Sequence, residues 1–278
     1  MRRAILSNVL IALTAWVVAG CHHQPKEFGT HTMSGERCYL LTCDEESGPW
    51  GESVGVKVRY AVVWPDRGAL SAAAERELQY LCFGDSTANQ VEVAAKRWLT
   101  QPFFYEDEYG CEKKPVDALD EKSEYSYVEV RSDCSQDSTL VTFVVTSESY
   151  FAGAAHGMHS AEFLTIDLGS GNAVHLPDLV TDTNLLCEAI AHAIQDLDVN
   201  KGVRECLFDE FIGVERMPMP RNFAIDSARN TVTVFYGLYE IACYACGIQE
   251  VTLPVFWLSK HVPLTPYAKR LFGPGSSL

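Results

Sequence analysis

Beyond its first twenty residues the sequence has no apolar run approaching the roughly 20 residues that a spanning helix needs, so no transmembrane segment is expected there. It is short of positive charge. Its 22 Lys and Arg face 37 Asp and Glu, a formal charge of −15, which argues against phosphate polymers and hence against nucleic acid as a partner. Gly-x-Ser-x-Gly is absent, and no Ser or Cys stands with a base and an orienting acid, so acyl-transfer chemistry has no visible machinery. Phosphate loops are missing too: Gly169-Ser170-Gly171 carries no lysine and opens no helix, and reads as a turn. His156 and His159 have His-x-x-His spacing, but no nearby carboxylate completes a ligand set, so neither a metal nor a cofactor is expected. There is no internal repeat.

What is present begins with Arg2 and Arg3, an apolar stretch from Ala4 to Val18, and Val18-Ala19-Gly20-Cys21. This pattern is that of a lipoprotein signal peptide, residues 1–20, cut before a lipid-bearing Cys21. The chain is then a lipoprotein carrying acyl groups such as palmitate, held at a membrane by its lipid and exposed to an extracytoplasmic space. Residues 21–50, polar at first, read as a flexible tether. His22 is not the aspartate associated with inner-membrane retention, so the expected location is the cell envelope of a Gram-negative bacterium, at the periplasm and outer membrane. Loss of Arg2 and Arg3 with the signal takes the charge to −17, which attracts cationic partners.

Export makes the ten cysteines disulfide candidates. Setting Cys21 aside leaves an odd nine, so one stays unpaired. Proximity pairs Cys38 with Cys43, Cys187 with Cys206 and Cys243 with Cys246, and leaves Cys82, Cys111 and Cys134 to share one bridge. Cys243-Tyr244-Ala245-Cys246 has redox-motif spacing, yet it lies between strands and not at a helix start, which favours a structural staple.

Hydrophobic residues alternate from Val54 to Trp64, the period of a half-buried strand, and Leu70–Cys82 and Ala88–Leu99 have helical spacing. Residues 106–122 read as a surface connection. Strands are expected at Tyr125–Arg131 and Thr139–Ser147, the second apolar on both faces and central. A hairpin follows around Gly169–Asn172, then a helix at Asn184–Leu197, a short helical piece at Cys206–Ile212, a hairpin at Phe223–Tyr236 and a strand at Gln249–Leu253. Blocks of strands and helices, not strict alternation, give an α+β fold with a largely antiparallel sheet, packed helices and disulfide staples. The expected divisions after the tether are a strand–helix module at 51–122, a C-terminal domain at 123–262 and a frayed or surface-laid tail at 263–278.

Three segments carry a resemblance: Tyr150-Phe151-Ala152-Gly153-Ala154-Ala155-His156-Gly157; Ile166-Asp167-Leu168-Gly169-Ser170-Gly171 leading to Leu176-Pro177-Asp178-Leu179; and Val234 to Gly247. Together they resemble the extracytoplasmic domain of RsiV-type anti-sigma factors, over roughly Ser126 to Val262. That domain also occurs in lipoproteins and in some peptidoglycan deacetylases. The chain departs from the family at Ala154, where a second glycine is common, and at Cys243 and Cys246, where apolar residues or proline are common. The resemblance implies binding, since RsiV-type domains sense lysozyme, a small basic protein, through loops of this domain. The sequence shows no sigma-binding segment and no spanning helix, so a stand-alone lipoprotein is the form expected.

The candidate binding residues are Tyr150, His156, Gly157, Tyr239, Glu240 and Tyr244. Tyr236, Tyr239 and Tyr244 beside Glu240 have the composition of a binding hot spot and equally that of hairpin packing. His156 equally serves as a hydrogen-bonding residue that fixes its loop. The function expected is a non-enzymatic binding domain for a cationic lysozyme-like protein or for peptidoglycan. The alternative is a peptidoglycan-acting enzyme or accessory factor using His156 with Glu162 or Asp167.

Overall fold

The computed structural model describes residues 27–42, 53–103, 111–120, 125–211 and 217–273. The stretch expected as a tether contains strand β1 (Thr30–Thr42), paired antiparallel along its whole length with β2 (Ser53–Pro65). The local sequence hides this strand because only its far end, Cys38, Tyr39 and Leu41, is apolar and buried. The rest is held by main-chain pairing to β2, a tertiary effect that local pattern does not record. After β2 come α1 (Ala72–Phe83), α2 (Val91–Thr100) and β3 (Glu112–Val116), then β4 (Tyr125–Gln136), β5 (Leu140–Tyr150), β6 (Met158–Asp167) and β7 (Asn172–Ala173). β3, inside the expected surface connection, is a short strand on the outer edge of β1. The seven strands form one sheet in the order β3-β1-β2-β4-β5-β6-β7. Only the β2–β4 pair is parallel, so the fold is α+β with a mostly antiparallel sheet.

Short α3 (Leu176–Leu179) precedes α4 (Thr183–Asp196) and α5 (Lys201–Cys206); β8 (Asn222–Asp226), β9 (Thr231–Tyr236) and β10 (Gln249–Pro254) make a second antiparallel sheet; α6 (Val255–His261) and α7 (Pro266–Phe272) end the described chain. The tail thus carries a helix. Thr265 caps α7 by accepting from the Ala268 amide, Pro266 starts it, and Ala268 and Phe272 are buried. Among the described residues no helix is long and apolar enough to cross a membrane.

Two apolar clusters meet at the large sheet. On one side, Leu78 and Phe83 of α1 and Ala94 and Trp98 of α2 cover Val56, Val58, Phe143 and Leu164. On the other, Leu186, Ile190 and Ile194 of α4 pack with Val234, Val251 and Leu253 of the small sheet. Caps set the helix starts: Ser71 accepts from the Ala74 amide for α1, and Asp182 accepts from the Asn184 and Leu185 amides for α4.

The sheet face away from α1 and α2 carries a row of side chains in register across five strands: Glu36, Arg59, Glu129, Glu148 and His159. Directly opposed residues lie on one face of a sheet, so these five share a surface. Glu129, 6% exposed, accepts from Arg59 Nη2 at 2.6 Å and from Arg131 Nε at 2.5 Å. Burial opposes its charge, but hydrogen bonds and positive charge from Arg131 and Arg59 win and hold its carboxyl below the usual value of 4.5. A carboxyl depressed in the folded state contributes stability above its unfolded pKa and loses it as pH falls through the folded one. In urea titrations Glu129→Gln is therefore less stable than the native chain at neutral pH, and the difference shrinks as pH drops below about 4.5.

Candidate binding site

The turn from β5 to β6 is built on Gly153 and Gly157. Gly153 has φ +83°, a conformation L side chains rarely adopt, and the Ala154 amide bonds back to the Phe151 carbonyl at 3.0 Å. Buried Ser126 on β4 accepts from the Ala152 amide at 3.0 Å and so fixes the loop to the sheet. At Gly157 a side chain would come within 2.6 Å of the Ser149 carbonyl, so the returning strand presses on β5 too closely for any other residue. The loop's end presents His156, whose Nδ1 lies 3.1 Å from the Gly157 carbonyl.

A second loop, after β9, comes to meet it. The Tyr244 hydroxyl donates to the Gly157 carbonyl at 2.8 Å, and its ring stacks on His156 with centroids 3.9 Å apart and planes 22° from parallel. His159 sits edge-on to the same ring at 6.0 Å, and Tyr239 lies 5.9 Å away on another side. Tyr239 occupies the third place of a turn closed by the Glu240 amide to the Gly237 carbonyl at 3.2 Å, and the Glu240 carboxylate returns to the Gly237 amide at 2.8 Å. Its φ of +63° is one that such a turn usually gives to glycine and that costs a tyrosine about 1 kcal/mol or more. Even so, Tyr239 is 51% exposed.

The loop is secured below the aromatic surface. Ile241 and Ala242 are buried, Phe208 donates its amide to the Ile241 carbonyl at 2.9 Å, and Leu207 bridges Ala242. Buried Gln249 donates to the Cys246 and Gly247 carbonyls at 2.8 and 3.1 Å. Cys246 is disulfide-bonded to Cys206 at the end of α5, with Cα atoms 6.0 Å apart. Beside the platform, burial pushes the Glu162 carboxyl up, against a hydrogen bond from Asn222 and the charge of Arg221, while Glu240 pushes the same way as burial.

The structure brings together five of the six residues singled out from sequence: His156, Gly157, Tyr239, Glu240 and Tyr244. Tyr150 stands just behind the loop, its ring 6.0 Å from that of Tyr127 on β4. Tyr236 does not join them: it is fully buried and donates to the Pro218 carbonyl at 2.8 Å. Asp167 is set apart as well. It closes the far end of β6, eight residues or about 26 Å of strand from His159, where it accepts from Tyr267 at 2.9 Å. A surface groove of about 420 Å³ lined by Asp167, Asp178 and Tyr267 is thus remote from the aromatic pair. Glu148 and Asn222 were missed, and His159 was weighed only as half of a His-x-x-His pair. They reach the site through cross-strand register and through the approach of β8, neither of which leaves a mark in local spacing.

The cysteine pairing differs from proximity in sequence. Cys206 bonds to Cys246, not to Cys187, because α5 ends against the second loop while Cys187 lies on the buried face of α4, its thiol 3.8 Å from the Met219 sulfur. Cys243 consequently does not pair with Cys246; it is an exposed thiol. Cys38 is a buried thiol within β1, so it does not form the expected bridge to Cys43. Cys111 is disulfide-bonded, whereas Cys82 and Cys134 are thiols, so those three do not share a bridge. Cys21 and Cys43 lie outside the described residues.

With this geometry in place the likenesses to known proteins become informative. No family model matches the chain, and no curated protein does. The fold is similar to that of a DUF3298 family member from Bacteroides fragilis NCTC 9343, at 17% identity with a TM-score of 0.54 over 88% of this chain and 96% of that one. It is also similar to a DUF3298 family protein from Pseudomonas aeruginosa PAO1, at 17% identity with a TM-score of 0.52 over 87% and 96% of the two chains. At that identity the likeness is one of fold.

The Cys206–Cys246 bond closes a separation of 40 residues, for which loop-closure entropy predicts about 3–4 kcal/mol. Cys246→Ser is expected to lower unfolding free energy by that amount in denaturant titrations under non-reducing conditions.

Proposed function

We propose that this chain is a lipid-anchored, extracytoplasmic binding protein whose paired loops dock a basic protein of the lysozyme type. The observation that carries this reading is Tyr239, a half-exposed aromatic ring held in left-handed backbone beside the Tyr244–His156 stack. A strained, half-exposed aromatic is poor design for stability and good design for recognition, since the turn fixes the backbone that presents the ring before any partner arrives. Glu240 on the same turn, Glu148 opposite His159 and the formal charge of −15 supply attraction for a cationic surface. The sequence likeness to RsiV-type domains supports the same partner, and the fold, shared with DUF3298 proteins, is compatible with it. In this reading Cys21 carries the lipid and the outer membrane is the surface to which the domain is held.

Calorimetric titration of the soluble chain from His22 onward with lysozyme, at two salt concentrations, tests the proposal. Micromolar or tighter binding, about −8 kcal/mol, that weakens with salt is the expected result. No complex at either salt overturns the lysozyme reading. Tyr239→Gly separates recognition from folding: it relieves the backbone and removes the ring, so thermal stability rises while affinity falls at least about tenfold. For the anchor, metabolic labelling with palmitate is expected in the native chain and lost in Cys21→Ala.

A further inference from the structure

Three sulfurs meet under the aromatic platform. Cys243 Sγ lies 3.7 Å from Cys246 Sγ, and Cys246 is already bonded to Cys206. We propose that Cys243, Cys246 and Cys206 form a thiol–disulfide exchange site, in which Cys243 displaces Cys206 from Cys246 and converts a long-range cross-link into a local one.

The geometry supports both ends of the exchange. Cys243 is the one exposed cysteine among the described residues. The Cys246 amide bonds to the Cys243 carbonyl at 3.0 Å, a turn that keeps their Cα atoms within about 7 Å and so near the span of a disulfide. The other thiols are less suited: Cys38 and Cys187 are buried, burial pushes the Cys82 thiol up to about 12, and burial with the charge of Asp133 pushes the half-buried Cys134 thiol up. In the step, Cys243 loses its proton to solvent and its thiolate attacks Cys246 Sγ. The Cys246–Cys206 bond breaks, its electron pair leaves on Cys206, and Cys206 takes up a proton. One disulfide and one thiol stand on each side, so no oxidant or reductant is consumed. Released Cys206 does not drift away, because the Phe208–Ile241 hydrogen bond and the Leu207–Ala242 bridge keep the end of α5 beside the loop. The exchange is therefore reversible. It acts on the turn Tyr244–Cys246, which carries the ring stacked on His156.

The test uses the full oxidised chain, incubated without air at pH 8 with a trace of small thiol, then alkylated while folded and digested with trypsin. Cleavage after Arg204 and Arg216 isolates Cys206, whereas cleavage after Arg229 and Lys260 leaves Cys243 and Cys246 on one peptide. The expected result is label appearing on Cys206 with a matching loss of label from Cys243. Label confined to Cys243 at every time point overturns the proposal. Cys206→Ser provides a second measurement. On oxidation it should form an internal Cys243–Cys246 bond, read as a loss of two hydrogens and of both labels, and persistence of both thiols counts against the exchange.

Discussion

Strands β5 and β6 are a wall shared by two cores, and the rest of the molecule depends on their register. Val141, Phe143 and Val145 with Leu164 and Ile166 belong to the cluster under α1 and α2, while Leu140 belongs to the cluster around α4 and the small sheet. Between them, Thr142 and Thr165 satisfy each other at 3.1 Å in a buried pair, and Phe163 stacks on Phe235 of the second sheet at 4.1 Å. A slip of one residue would exchange every inward and outward side chain, so burial on both faces fixes a single pairing. The same pairing delivers His159, and the loop holding His156, to the place where the second loop arrives.

That second loop is held in place by several small ties. Tyr244 reaches across 87 residues to the Gly157 carbonyl, Gln249 gathers two carbonyls, the Phe208 amide donates to the Ile241 carbonyl, and one disulfide ties the loop to α5. Each tie contributes modestly, about 1 kcal/mol for a hydrogen bond, but they act on one short segment. A backbone as unfavourable as that of Tyr239 persists where its surroundings over-determine it.

Much of this was legible in the sequence, for identifiable reasons. The alternation from Val54 to Trp64 and the helical spacing of α1, α2 and α4 come from large apolar faces, and the α+β class follows from their order. His156, Tyr239 and Tyr244 were identified together because a family-like motif and an aromatic cluster marked them. Strand β1 was missed because most of its side chains are polar and its ladder is main-chain. The cysteine pairing was missed because closeness along the chain says little when α5 and the second loop, 40 residues apart, are packed together. The row from Glu36 to His159 depends on register across five strands, a quantity no single segment contains.

The two outermost strands of the large sheet are both short. β7 has two residues, and β3 has five, of sequence Glu-Lys-Lys-Pro-Val. Proline offers no amide to a neighbouring chain, and two adjacent lysines repel their own copies. Where β3 covers β1 and β7 covers β6, the outermost strand is too brief, and at β3 too charged, for a second copy to extend.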